Sequence, residues 1–96
     1  MAVEIRVECK RYIGKIVSAS LTFDGNVLDV QQIKDLCSYK NSDTRCLVLK
    51  NGSELDFKPK QFKGFIELSV EGFADHIRID CDAIRSITLL ETEKCE

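Results

Sequence analysis

The chain offers one imidazole, His76, and five thiols, Cys9, Cys37, Cys46, Cys81 and Cys95. A Cys-His dyad would do nucleophilic chemistry, the thiolate attacking while the imidazole carries the proton, and it needs contact at about 3 Å. The thiol nearest His76 is Cys81, five residues on in "HIRIDC". On one strand an odd separation sends the two side chains to opposite faces. His76 therefore reads as a surface histidine. His76, Asp80 and Asp82 carry ligand chemistry, but four residues of strand hold His76 and Asp80 about 13 Å apart, too far for one ion. The chain lacks Cys-x-x-Cys and His-Glu-x-x-His spacings. No catalytic residue, metal or cofactor is expected. The carboxylate pairs Glu54/Asp56 and Asp80/Asp82 alternate as the wet face of a sheet does. The cysteine number is odd and no apolar leader precedes them. They read as reduced thiols of a cytoplasmic protein, most of them small core hydrophobes.

Binding chemistry is better represented. In "DFKPKQFKGF" Lys58, Lys60 and Lys63 interleave with Phe57, Phe62 and Phe65. Cations beside aromatic faces can hold phosphates and stack bases, or hold an acidic protein surface. A second basic cluster, Lys10, Arg11 and Lys15 around Tyr12, lies upstream. The candidate binding residues are thus Lys10, Arg11, Lys15, Lys58, Lys60, Phe62 and Lys63. The plain alternative is a set of solvated loop lysines, with Phe57 and one further ring in the core. The net charge is −2, which gives no global attraction to nucleic acid or an anionic membrane. No run approaches the roughly 18 apolar residues of a membrane span.

The 96 residues make one domain, 1–96. Val3, Ile5, Val7 and Cys9 alternate with Glu4, Arg6 and Glu8, which is a half-buried strand. A second strand carries Val17, Ala19, Leu21 and Phe23 on its inner face and pairs antiparallel with the first. "DGN" turns. Asp29 has the chemistry of an N-cap and Gln32 completes a capping box. Val30, Ile33, Leu36 and Cys37 then form one apolar stripe, so the spacing predicts a helix running to Lys40. In "LVLKNGSELDF" the Asn51-Gly52 pair predicts a two-residue type I′ hairpin. That register pairs Val48 with Leu55 and Cys46 with Phe57 as core, and leaves Leu47 and Leu49 for the helix to cover. Strands follow at Phe65–Val70 (Ile66, Leu68 and Val70 inward), at His76–Cys81 and at Arg85–Glu91, with Pro59 and Asp82 marking breaks. The expected fold is α+β, ββαβββββ: one helix packed on a strongly bent antiparallel sheet or small β-barrel.

Over residues 29–91 the order helix, strand, "NG" turn, bent strand, strand, strand, short turn, strand resembles the Sm-like small β-barrel proteins. "LVLKNGSEL" looks like their first motif and "HIRIDCDAIRSITLL" like their second. The resemblance implies a ring-forming protein that binds single-stranded RNA through turn residues near Lys60–Lys63 and Cys81–Ala83. The chain departs from the family at "QFKGFIEL", where polar residues are replaced, and at "DCDA", an anionic turn where the family carries a basic one.

The preferred expectation is a small non-enzymatic module, a regulator or inhibitor that docks on a larger protein partner. Free strand edges also invite a second copy of the chain. An RNA- or nucleotide-binding barrel and a small enzyme or metabolite binder are the alternatives.

Overall fold

A computed structural model describes residues 2–90. Nine strands run in chain order: β1 (Ala2–Val7), β2 (Lys10–Phe23), β3 (Asn26–Leu28), β4 (Ile33–Ser38), β5 (Arg45–Leu49), β6 (Glu54–Phe57), β7 (Phe62–Ser69), β8 (Ile77–Asp80) and β9 (Ser86–Leu89). Three single 3-10 turns, Val30–Gln32, Pro59–Gln61 and Cys81–Ala83, complete the elements. All pairings are antiparallel and form one sheet of order β6-β5-β4-β9-β1-β2-β7-β8, with β3 paired to β2.

The α+β expectation is therefore overturned: no α-helix exists among the described residues. The capping box at Asp29 is real. Gln31 N–H donates to Asp29 Oδ1 at 2.9 Å, and Asp29 N–H donates to Gln32 Oε1 at 3.2 Å. It caps one 3-10 turn only, after which Ile33 is extended at φ −82°, ψ 125°. The apolar stripe that mimicked a helix has another cause. The ladder pairs Ile33 with Leu49 and Asp35 with Val48, so Lys34 is an extra, bulged residue. A bulge resets the alternation by one. Ile33 and Leu36, three apart as on a helix, thereby reach the same interior, each 1% exposed. β-Branched Ile33 favours extension. A helix this short is marginal alone, and β4 instead gains two ladders, with β5 and β9.

The hairpin register is also corrected. Leu47 pairs with Leu55 and Arg45 with Phe57, one residue out of step with the type I′ expectation. Gly52 N–H donates to the Leu49 carbonyl and Leu49 N–H to the Ser53 carbonyl, both at 2.9 Å. Only Gly52 of the loop has positive φ, +95°. These are the marks of a three-residue loop closed by a glycine bulge. A one-residue slip exchanges the faces of a strand. Leu47, 0% exposed, is core and needs no helix to cover it; its partner Leu55, on the same face of edge strand β6, is 37% exposed.

A flat eight-strand sheet would be about 34 Å wide and one side-chain layer deep. The molecule instead measures 32 × 29 × 27 Å, so the sheet curls around its own interior. That interior holds Val3 and Ile5 of β1, Leu36, Leu47, Phe57, Phe62, Ile66, Leu68, Ile79, Ile84 and Ile87. The curl stops short of closure. β6 and β8 end the strand order and pair with nothing further among the described residues, so the sheet is open and not a barrel. β2 makes the curl by serving two neighbours on one edge, β1 through Lys10–Lys15 and β3 through Leu21–Phe23. A bulge at Val17 turns Ile16 inward and leaves Val17 45% exposed, the reverse of the alternation expected there. Glu91, at the end of the expected last strand, and Cys95 lie outside the described residues.

Candidate functional site

The basic-aromatic segment begins beyond Phe57. Pro59 fixes φ and lacks an N–H, which suits the first position of a helical turn. Pro59–Gln61 forms that turn, and Lys58 N–H donates to Gln61 Oε1 at 2.9 Å. β7 then runs along β2, pairing Phe62 with Phe23, Lys63 with Thr22 and Gly64 with Leu21. At Gly64 φ is +114°, and a Cβ there would lie 1.8 Å from the Ser20 carbonyl oxygen. Only glycine allows this close approach, and it bends β7 beside the Cys81–Ala83 turn that follows β8.

The bend shapes an open cleft of about 490 Å³ lined by Pro59, Lys60, Lys63, Gly64, Asp80 and Asp82. Two ammonium groups therefore stand near two carboxylates. No ion pair within 4.0 Å joins them among the described residues; Asp80 meets Arg78 at 4.0 Å. On the outer face beside the cleft, the Arg78 guanidinium sits 3.9 Å above the half-buried Phe65 ring, a cation–π contact. The β8 edge flanks both features, and Phe73, 59% exposed, stands in the turn that leads into β8.

The sequence-expected residues divide sharply. Lys60 and Lys63 line the cleft. Lys58 does not join them. Its Nζ lies 2.8 Å from Asp43 Oδ1 and 2.8 Å from Thr44 Oγ1, and it holds the Asp43 carboxyl below the ordinary carboxylate value. Phe62 is corrected from surface to core: it is 1% exposed and meets Phe57 edge-on at 5.7 Å, as Phe57 meets Phe23 at 5.2 Å. Inward alternation decides this, since Phe62 shares its face with Gly64, Ile66 and Leu68. Lys10 and Arg11 line a separate open depression with Arg6, Glu8 and Cys9 at the β1–β2 turn. Lys15 faces Ala2 and Ser69, while Lys63 faces Thr22. Lys15 and Thr22 are seven residues apart on β2, about 23 Å of strand. The two basic segments do not meet.

Reading the residues alone missed Arg78 beside Phe65, and it set Asp80 and Asp82 near the lysines only through the Sm-like resemblance. The signal was present in the polar face of "HIRIDC". Pairing it with "FIELSV" sets Asp80 opposite Phe65 and Arg78 opposite Glu67, which places Arg78 diagonally from Phe65.

His76 is exposed and Cys81 is 1% exposed beneath the turn that it opens. Burial, with Asp80 and Asp82 nearby, pushes the Cys81 thiol up to about 12. No group of three or more His, Cys, Asp or Glu side chains among the described residues could hold a metal ion. Arg45, 9% exposed, has no hydrogen-bond partner for Nε and Nη1 among the described residues. Burial and the neighbouring Arg85 lower its pKa. No helix of the described residues is long and apolar enough to cross a membrane.

Fold and cleft together define an open, curled antiparallel sheet with a mixed-charge cleft at one free edge. No protein-family model matches the chain, no curated protein matches its sequence, and no solved structure matches its fold.

Proposed function

We propose that this chain is a small non-enzymatic binding module that docks on a larger protein partner through the β8 edge and the adjoining cleft. The observation that carries this reading is the juxtaposition of a free strand edge with Lys60 and Lys63, two cations without an ion pair among the described residues. An extended segment added to β8 would satisfy its open backbone groups. Acidic side chains on that segment would reach Lys60 and Lys63 at one end, and an apolar one would meet Phe73 at the other. Asp80 and Asp82 would set its register by repelling a misplaced carboxylate.

A second reading, a single-strand RNA binder of the Sm-like kind, has one observation in its favour. The turns containing Lys60 and Asp82 lie on the same cleft. Against it stand the two carboxylates there, which repel phosphate, and the burial of Phe62, which removes one stacking ring.

Light scattering on a size-exclusion column, with absorbance at two ultraviolet wavelengths, separates these readings. The chain has two tyrosines and no tryptophan, so bound nucleic acid would dominate the spectrum. A protein-binding module elutes as a clean monomer or dimer. A ring-sized oligomer with nucleic-acid absorbance would replace the proposal with the RNA reading. Lys60→Glu with Lys63→Glu should leave the thermal transition unchanged and weaken the captured partner complex roughly tenfold or more. Undiminished binding by that variant would sink the proposed surface.

A further inference from the structure

The outer face of β4–β6 carries a cluster that the cleft does not use. Cys37 of β4 and Cys46 of β5 are directly opposed in the ladder, and Asp56 of β6 is opposed to Cys46. All three share a face, because cross-strand partners do. Tyr39, two residues past Cys37, belongs to the same face. Its hydroxyl donates to Asp56 Oδ1 at 2.8 Å. The phenol therefore spans β5 and covers Cys46, which is 6% exposed although it points away from the core. Cys37 is exposed.

The backbone geometry suits a covalent link between the two thiols. Tyr39 N–H donates to the Thr44 carbonyl at 3.1 Å. In an antiparallel ladder hydrogen-bonded pairs alternate, so Cys37 and Cys46 form the next such pair, with Cα atoms about 5.5 Å apart. Disulfides span roughly 4.4–6.8 Å between Cα atoms. The Cβ atoms, about 5.5 Å apart in such a pair, need to close by roughly 1–2 Å.

We propose that Cys37 and Cys46 are a modification site, a cross-strand dithiol that a hydroperoxide converts to a disulfide. Cys37 is the thiol that the oxidant meets. Cys37 gives up its proton and its thiolate attacks one peroxide oxygen; the S–O bond forms, the O–O bond breaks, and the departing hydroxide or alkoxide takes that proton and leaves as water or an alcohol. Tyr39 swings off Cys46, whose sulfur attacks Cys37 Sγ. The S–S bond forms, the S–O bond breaks, and the departing hydroxide takes the Cys46 proton as water. Two thiols lose two electrons and two protons, and one peroxide is reduced. The product clamps β4 to β5 and releases the Tyr39–Asp56 contact. A dithiol reductant reverses it. The site lies on β4–β6, so it stands apart from the β8 cleft and does not depend on the proposed docking.

The test uses the full chain with Cys9→Ser and Cys95→Ser, which leaves Cys37, Cys46 and Cys81. Hydrogen peroxide is the probe. The expected product is a monomer that has lost two hydrogens, with the Cys37 and Cys46 peptides joined in a non-reducing digest. Cys46→Ser should stop the link and leave a Cys37 sulfenic acid that a dione reagent traps. Cys46→Ala serves in its place if the serine variant does not show a native thermal transition. Tyr39→Ala should speed formation of the link several-fold by uncovering Cys46. Oxidation of Cys37 to the sulfinic acid while Cys46 remains alkylatable would overturn the proposal. So would a link that survives loss of Cys46.

Discussion

Two hairpins of the same sheet, β7–β8 and β5–β6 with its neighbour β4, solve their outer faces differently. In β7–β8 the alternation runs without interruption where the strands pair, Phe65–Leu68 against Ile77–Asp80. Its inner residues Ile66, Leu68 and Ile79 are 0–5% exposed, and its outer residues are the exposed Arg78 and Asp80 and the half-buried Glu67, which accepts from Ser18 Oγ, around one ring. In β4–β6 the alternation is reset twice, at Lys34 and at Gly52. There the outer face is covered at one residue: Cys46 is 6% exposed, and Tyr39 reaches over β5 to end on Asp56. A regular face exposes its groups to any partner. An irregular one lets a residue from beyond the strand fold back and join them, so chemistry accumulates where the alternation breaks.

The largest test of this contrast attacks the regular hairpin at its one irregular residue. Gly64→Ala would drive a Cβ to within 1.8 Å of the Ser20 carbonyl at φ +114°. The backbone must shift, and a loss of more than about 3 kcal/mol is expected, read as loss of the cooperative thermal transition. A near-native transition would show that β7 needs no bend to form the cleft. Next in size is a pair in the irregular half. Leu36→Ala removes a side chain that is 1% exposed and should cost about 2–5 kcal/mol. Leu55→Ala, at 37% exposure, should cost about 1 kcal/mol or less. Urea midpoints at fixed slope measure both. A greater loss at Leu55 than at Leu36 would show that edge strand β6 packs as tightly as β4 and would break the comparison.

The same contrast explains how much was legible. β1, β8, β9 and the part of β7 from Phe65 on were readable from alternation alone, because each keeps its parity over the residues that it buries; β7 itself starts earlier, at Phe62. The Asp29 cap was readable as chemistry, yet the length of what it caps was not: Ile33 and Leu36 have helical spacing only because Lys34 is bulged out. Asn51-Gly52 marked the turn correctly but not its size. The extra loop residue, Lys50, shows in the carbonyl that Gly52 chooses and not in composition. Within the cleft, Lys60 and Lys63 stood out by charge. Asp80 and Asp82 were set near them only through the Sm-like resemblance, since pairing β7 to β8 is a long-range choice. Phe62 was misplaced because one residue of phase separates it from the surface.

The smallest expected effect tests the cover itself. The hydrogen bond to Asp56, then burial, then the neighbouring Cys46 raise the Tyr39 phenol above its ordinary value of about 10. The folded chain thus holds this proton more tightly than the unfolded chain does. Its contribution is complete below the unfolded value and is lost as pH rises past about 10 toward the folded one. Tyr39→Phe deletes the contribution at every pH. Tyr39 is 43% exposed, so solvent screening keeps the effect small. The wild-type chain should melt slightly above the variant at neutral pH, and the gap should close as pH passes about 10. Tyr12 is the only other tyrosine, so the phenolate absorbance of the variant supplies the reference titration. A gap that ignores pH would mean the phenol is not held by Asp56. The outer face of β4–β6 would then be as loosely dressed as that of β7–β8, and Cys46 would owe its burial to packing alone.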